Sequence, residues 1–155
     1  MEIRFAKAQD VPGIIKLMQQ AGKVQHAGRP DLFCNNAQKY GPSQIMGMLG
    51  KTDAPIFVAV EEEKVLGYGF CVLEFYQQDS VMRDRITLFI DDLYAAEAYR
   101  DQQVEYAIYQ EILRYAKYRG CYNVTLDVWS CDENAMKFCE SQGMKPQKVG
   151  MEAIL

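Results

Sequence analysis

The chain has one histidine, His26, no run of lysine or arginine, and no C-x-x-C pair among its five cysteines at positions 34, 71, 121, 131 and 139. So little histidine and no paired thiols leave nothing to build a metal site from, and no metal is expected. An odd number of unpaired cysteines is the pattern of reduced thiols, so a cytoplasmic location is the expectation. With 17 basic against 21 acidic residues and a net charge of −4, no stripe follows a phosphate backbone, and nucleic acid is not an expected partner. A mildly acidic surface suits a cationic small molecule or a protein amine instead. No apolar run of membrane-spanning length occurs and the opening MEIRFAKAQD is charged, so neither a span nor a leader is expected. The G-x-S-x-G elbow of a nucleophilic hydrolase is missing, and His26 has no partner motif.

What is present is an average globular composition, 49% hydrophobic and 25% charged over 155 residues. That length predicts one domain, 1–155, with one sizeable core. Glu2 to Ala6 reads as a short strand. Asp10 before Val11 and Pro12 reads as an N-cap opening a helix to about Gln20, with Gly22 at its C-terminal cap. Ser43 is positioned to cap a second helix ending near Gly50. Two apolar runs, Ile56 to Val60 and Val65 to Phe75, flank Glu62, Glu63 and Lys64 as a hairpin, and RITLFIDDLYA is a further strand. Val104, Ala107, Ile108, Ile112, Tyr115 and Ala116 recur at three and four, which predicts a helix stopped by Gly120. NVTLDVW then reads as a strand, Asp132 or Glu133 to Gln142 as a helix ended by Gly143, and Met151 to Leu155 as a last short strand. This order makes an α/β protein, a mixed sheet with helices on its faces. A helix that follows a strand directly offers unpaired N–H groups at the sheet's C-terminal edge, so an anion is expected near Arg100.

The stretch IDDLYAAEAYRDQQVEYAIYQEILRYAKYRGCYNVTLDVWSCDENAMKFCESQGMKP resembles the GNAT superfamily of acetyl-CoA-dependent N-acetyltransferases. Asp92-Leu93, Tyr99-Arg100, the helix ended by Arg119-Gly120 and the Asn134 helix ended by Gly143 carry the resemblance by their mutual spacing. It implies a mixed, mostly antiparallel sheet flanked by helices and split between two central parallel strands. The strand at Leu88 to Tyr94 should part from that at Asn123 to Trp129, opening a cleft for the pantetheine of acetyl-CoA. The family pattern [R/Q]-x-x-G-x-[G/A] grips the coenzyme diphosphate. Arg100 keeps its first position, whereas Gln103 and Glu105 replace its glycines. The implied cofactor-binding turn is therefore Arg100, Asp101, Gln102, Gln103, Val104 and Glu105. Two like charges at about 4 Å repel by roughly 4 kcal/mol at an effective dielectric near 20, so Glu105 opposes a diphosphate if it faces one. Its alternative role is to complement the helix dipole.

The resemblance also implies backbone amides near Leu93, Tyr94 and Ala95 for the thioester carbonyl, and Asn134 near the pantetheine. In NAMKFCESQGM, Cys139 stands where the family's tyrosine acid belongs, so it is a candidate proton donor or else a packing residue. Asp91, two residues beyond Phe89, is a candidate base, directly or through water. The other reading is that Asp91 and Asp92 finish a strand and bond a turn. Arg29, Asp31 and Phe33, with His26, lie in the segment that borders the acceptor cleft in relatives. The implied function is transfer of an acetyl group from acetyl-CoA to an amine of a small molecule or protein. The alternative is a GNAT-fold binding or regulatory protein that does not use acetyl-CoA. The tyrosine-rich helix surface is compatible with a homodimer.

Overall fold

The computed structural model describes the backbone of residues 1–155 and every side chain except those of Arg100, Asp101 and Gln102. Strand β1 (Glu2–Phe5) is followed by a 3-10 turn and helix α1 (Val11–Gly28), then by helix α2 (Pro42–Met48). Strands β2 (Ile56–Glu61), β3 (Lys64–Tyr76) and β4 (Arg85–Ala95) form a meander. A 3-10 segment (Glu97–Gln102) then leads to helix α3 (Val104–Tyr118), strand β5 (Asn123–Leu126) and helix α4 (Glu133–Ser141). The sheet order is β1-β2-β3-β4-β5, antiparallel throughout except for the parallel pair β4 and β5. This is the mixed, mostly antiparallel α/β sheet expected.

Apolar residues alternate along the inner strands, so each sheet face has its own core. Val11, Ile14, Leu17 and Met18 of α1 and Ile45 of α2 pack on Val58, Tyr68 and Phe70. Val104, Ile108, Ile112 and Ala116 of α3 pack on Phe57, Leu66, Leu88 and Ile90 on the opposite face. The three-and-four spacing of α3 is thus spent on one contact surface. Gly120 and Gly143 stand at φ 72° and 73°, the left-handed residues that follow α3 and α4.

Several local expectations give way to tertiary contacts. Helix α1 runs through Gly22 because that glycine serves close approach and does not end the helix: a Cβ there would lie 1.9 Å from the Ala37 carbonyl oxygen. Asp10 makes no N-cap bond to α1. Its 2%-exposed carboxylate instead takes a two-pronged contact from Arg4, at 2.7 and 3.0 Å, and the Lys7 N–H at 2.7 Å. Helix α2 begins one residue before Ser43, at Pro42, and the Gln44 side chain accepts the Gly41 N–H. Strand β5 stops at Leu126 and does not reach Trp129. Residues 151–155 form no strand, and β5 is the last strand of the sheet among the described residues.

Candidate active site

Strand β5 accompanies β4 only from Thr87 to Ile90, opposite Asn123 to Leu126, while β4 continues to Ala95. The two strands therefore part at their C-terminal ends, as the sequence led one to expect. On its other side β4 remains paired with β3, Gly67 opposite Ala95 and Phe70 opposite Asp92. Antiparallel pairs alternate between bonded and unbonded, and the Ala96 N–H donates to the Leu66 carbonyl at 2.8 Å. Alternation then turns the N–H groups of Leu93 and Ala95 away from β3, toward the gap beyond the end of β5. That of Tyr94 turns toward β3.

A bulge sits at the head of this gap. The register passes from Phe70 opposite Asp92 to Cys71 opposite Ile90, which leaves Asp91 as the extra residue. Bulges re-aim side chains. Here the consequence is that two consecutive carboxylates point to the α1/α2 face, against the usual alternation. Asp91 Oδ2 accepts the Tyr40 hydroxyl at 2.5 Å, and its Oδ1 and carbonyl oxygen both take the Lys39 ammonium at 3.0 Å. Asp92 Oδ2 accepts the buried Tyr68 hydroxyl at 2.9 Å. The Tyr40 ring stacks on Phe70, with centroids 5.4 Å apart, which fixes where its hydroxyl arrives. Burial raises the Tyr40 and Tyr68 phenols well above the usual range, and the neighbouring aspartates add to this, so both hydroxyls keep their protons. Burial also pushes the Asp92 carboxyl up, against the Tyr68 hydrogen bond that holds it down.

The remaining expected residues fall into two groups. Arg29, Asp31 and Phe33 lie just beyond the end of α1. Arg29 grips Asp31 at 2.8 and 2.9 Å and Glu152 at 2.5 Å, and Phe33 meets Trp129 edge to face at 5.0 Å. The His26 Nδ1–H donates to the Phe33 carbonyl at 2.8 Å and steadies that turn. The segment from 29 to 41 thus joins α1 to the loop after β5, and its far end delivers Lys39 and Tyr40 to the bulge. Lys39, Tyr40 and Tyr68 are not singled out in the sequence, and Asp92 only as part of the resemblance and as a strand-finishing residue. Their role depends on one extra residue in a strand, and the sequence carries no local mark of it.

The second group surrounds the start of α3 and α4. The side chains of Arg100, Asp101 and Gln102 lie outside those described. Gln103 adopts φ 54° and ψ 38°, the left-handed conformation for which a glycine is ordinarily chosen. The turn therefore keeps a glycine's backbone shape with a glutamine in it. Val104 is buried against the sheet, and Glu105 occupies the first turn of α3. Cys139 is half-buried on α4, next to Phe138, whose ring meets that of Tyr109 at 5.8 Å. Burial raises its thiol, and the negative charges of Glu105, Asp132 and Glu140 raise it further. Glu105 thus acts on the α4 side of the gap. Asn134 is exposed near the start of α4, whose N-cap Asp132 accepts the Ala135 N–H at 3.0 Å. Among the described residues no group of histidine, cysteine and carboxylate side chains is arranged to hold a metal ion. Among the described residues no helix is long and apolar enough to cross a membrane.

A model of the acetyltransferase (GNAT) family matches residues 23–144. A tetramutant of the BH1408 protein from Bacillus halodurans has the same fold, with a TM-score of 0.94 and 30% identity over 100% of both chains. An aminoglycoside acetyltransferase from an uncultured soil metagenomic sample is similar in fold, with a TM-score of 0.75 and 16% identity over 99% of this chain and 95% of that one. Glucosamine-6-phosphate N-acetyltransferase from Arabidopsis thaliana is similar as well, with a TM-score of 0.73 and 19% identity over 99% and 97%. A sequence search of curated proteins gives no match.

Proposed function

Because this chain belongs to the GNAT acetyltransferase family, we propose that it moves an acetyl group from acetyl-CoA to an amine of a small molecule or protein, with Asp91 as the proton acceptor. One observation carries this reading: two outward N–H groups, of Leu93 and Ala95, stand in a gap between parted strands, just beyond a carboxylate displaced by a bulge. Acetyl-CoA fits the residues present. The gap gives the pantetheine a backbone edge to pair with, and the turn before α3 keeps the left-handed residue that lets main-chain amides approach a diphosphate. Leu93, Ala95, the turn from Arg100 to Glu105 and Asn134 would hold it, and when bound it supplies a thioester whose acyl carbon is open to attack.

The chain's own residues divide the remaining work. Leu93 and Ala95 donate N–H bonds where negative charge develops on the acyl oxygen. Asp91 takes the proton of an incoming ammonium, which the acceptor must lose before it can attack. Lys39 now occupies that place. A lysine ammonium 3.0 Å from Asp91 supports the reading that the carboxylate receives an amine there, and the substrate amine would displace it. The thiol of Cys139, kept protonated by burial and by Glu105, supplies a proton to the leaving sulfur. Asp91 and Asp92 together favour a cationic acceptor, consistent with the acidic balance of the chain.

Calorimetric titration with acetyl-CoA and with free coenzyme A, followed by a thiol-release assay over a panel of primary amines, tests this. Micromolar binding and amine-dependent release of coenzyme A are expected. A folded protein that binds neither coenzyme would instead make this a GNAT-fold binding or regulatory protein, the reading that the Glu105 charge on the α4 side favours.

A further inference from the structure

The ammonium of Lys39 makes two bonds to one residue, to Oδ1 and to the main-chain carbonyl oxygen of Asp91, each at 3.0 Å. The second bond places it on a known edge of β4. Asp92 pairs with Phe70, and its N–H faces β3 in step with those of Tyr94 and Ala96. Across a trans peptide the Asp91 carbonyl must point the opposite way, toward the gap. Leu93, whose N–H faces the same gap, follows two residues on, about 7 Å along the strand. A primary amine of this chain therefore stands beside the candidate base, on the edge that would hold an acyl oxygen.

Lys39 is exposed, and an exposed ion pair contributes little to stability, so the fold does not need this contact. The backbone on both sides of Lys39 is nevertheless anchored. Ala37 closes on Gly22 of α1, so tightly that a Cβ at Gly22 would lie 1.9 Å from its carbonyl oxygen. The Gln38 side chain accepts from Gln19 and donates to the Tyr40 carbonyl, each at 3.0 Å. Tyr40 stacks on Phe70 and donates its hydroxyl to Asp91. Only the flexible stem of Lys39 is left free between these anchors, and an amine on so short a tether acts at an effective concentration on the order of millimolar or more.

Resting on the acetyl-transfer reading above, we propose that Lys39 is a modification site: the chain acetylates the Nζ of its own Lys39. The Lys39 ammonium gives a proton to Asp91, and the neutral amine attacks the acyl carbon held at Leu93. The C–N bond forms and the C–S bond breaks, its electron pair leaving on the sulfur, which takes a proton from Cys139. The nitrogen's second proton and the one on Asp91 pass to water, and water restores the Cys139 thiol, so one proton is released net. The products are an N-acetyl-lysine and free coenzyme A. Acetylated Lys39 carries no charge and can no longer form the ion pair, so the modification frees Asp91 for an external amine.

Intact-mass and peptide mass spectrometry of the full chain, incubated with acetyl-CoA and no acceptor, tests it. One acetyl group is expected at Lys39, gained well ahead of the slow chemical background at the exposed Lys51 and Lys148, at a rate per molecule that does not change on tenfold dilution of the protein. Asp91→Asn should slow the Lys39 reaction by about 10²-fold and leave that background unchanged, and Lys39→Arg should gain no rapid acetyl group. Circular dichroism and calorimetric binding of acetyl-CoA establish that both variants are folded. Acetylation of a panel of primary amines should begin with a lag that preincubation with acetyl-CoA removes. A protein that binds acetyl-CoA and acetylates external amines while Lys39 reacts no faster than Lys51 would overturn this inference and leave the transfer reading standing. A rate that falls on dilution would overturn reaction within one chain, and the absence of a lag would overturn the release of Asp91. A folded protein that binds neither coenzyme and acetylates nothing would overturn both readings.

Discussion

The hydroxyl of Tyr40 stands 2.5 Å from Oδ2 of Asp91, a contact between a loop residue and the extra residue of a strand bulge. It holds the carboxylate with one oxygen engaged by a phenol and the other by Lys39, and the two partners have different consequences for catalysis. Asp91→Asn keeps the shape, turns one of the two acceptors into a donor and cannot take a proton, so kcat for amine acetylation should fall by about 10²-fold or more. Lys39→Ala removes a competing ammonium and should lower KM for the amine while kcat holds. Steady-state kinetics of the two variants reads this directly. Equal losses in both would show that the cluster only supports the loop.

The left-handed Gln103 leads to an expectation opposite to the usual cost of glycine near a helix. A non-glycine residue at φ 54° costs about 1 kcal/mol or more, and Gln103→Gly removes that cost. The melting temperature should rise by roughly 2–4 °C. Glu105→Gln, which removes charge and keeps bulk, should tighten acetyl-CoA binding by about tenfold, equivalent to about 1.4 kcal/mol. Thermal melts and calorimetry separate the two effects, and a drop in melting temperature for Gln103→Gly would contradict the assigned conformation.

The buried Asp10 and the half-buried Asp92 should act on stability with opposite signs. Burial alone would raise the Asp10 carboxyl, but the Arg4 hydrogen bonds and the Lys7 N–H outweigh it and hold its pKa below the usual carboxylate value. The stability it contributes is present above the unfolded pKa and is lost as pH falls through the folded one. Asp10→Asn should therefore cost about 3 kcal/mol at pH 7, and less in acid. Burial raises the pKa of Asp92, so any stability its carboxyl contributes is present below the unfolded value and lost as pH rises through the folded one. Asp92→Asn should thus raise stability at pH 7 and converge on wild type near pH 3. Denaturant titrations at the two pH values supply the check.

Gly22 tests the link between α1 and the acceptor-side segment. A methyl group placed 1.9 Å from the Ala37 carbonyl oxygen cannot be accommodated without moving one of the two. Gly22→Ala should destabilise the protein by about 1–3 kcal/mol, despite the better helix propensity of alanine. Because the displaced segment carries Tyr40 and Lys39, the amine KM should change as well. A stabilised variant with unaltered kinetics would mean that Ala37 does not rest on the helix.

The sequence by itself determined the elements whose signal is local. Periodicity placed α3, apolar runs flanking Glu62 to Lys64 placed the hairpin, and Gly120 and Gly143 marked helix ends, because each depends on residues within a turn or two of one another. The order of those elements then led to the mixed sheet, and the resemblance to the GNAT superfamily to strands parting beyond Ile90. Tertiary structure decided what depends on a partner far along the chain. Helix α1 passes through Gly22 because Ala37 closes on it, and Asp10 serves Arg4 of β1 instead of capping. Asp91 and Asp92 share a face because the ladder to β3 leaves one residue over, and only that slip brings them to Tyr40, Lys39 and Tyr68. Residues 151–155, read as a last short strand, lie outside the sheet, since a strand exists only where another edge accepts its hydrogen bonds.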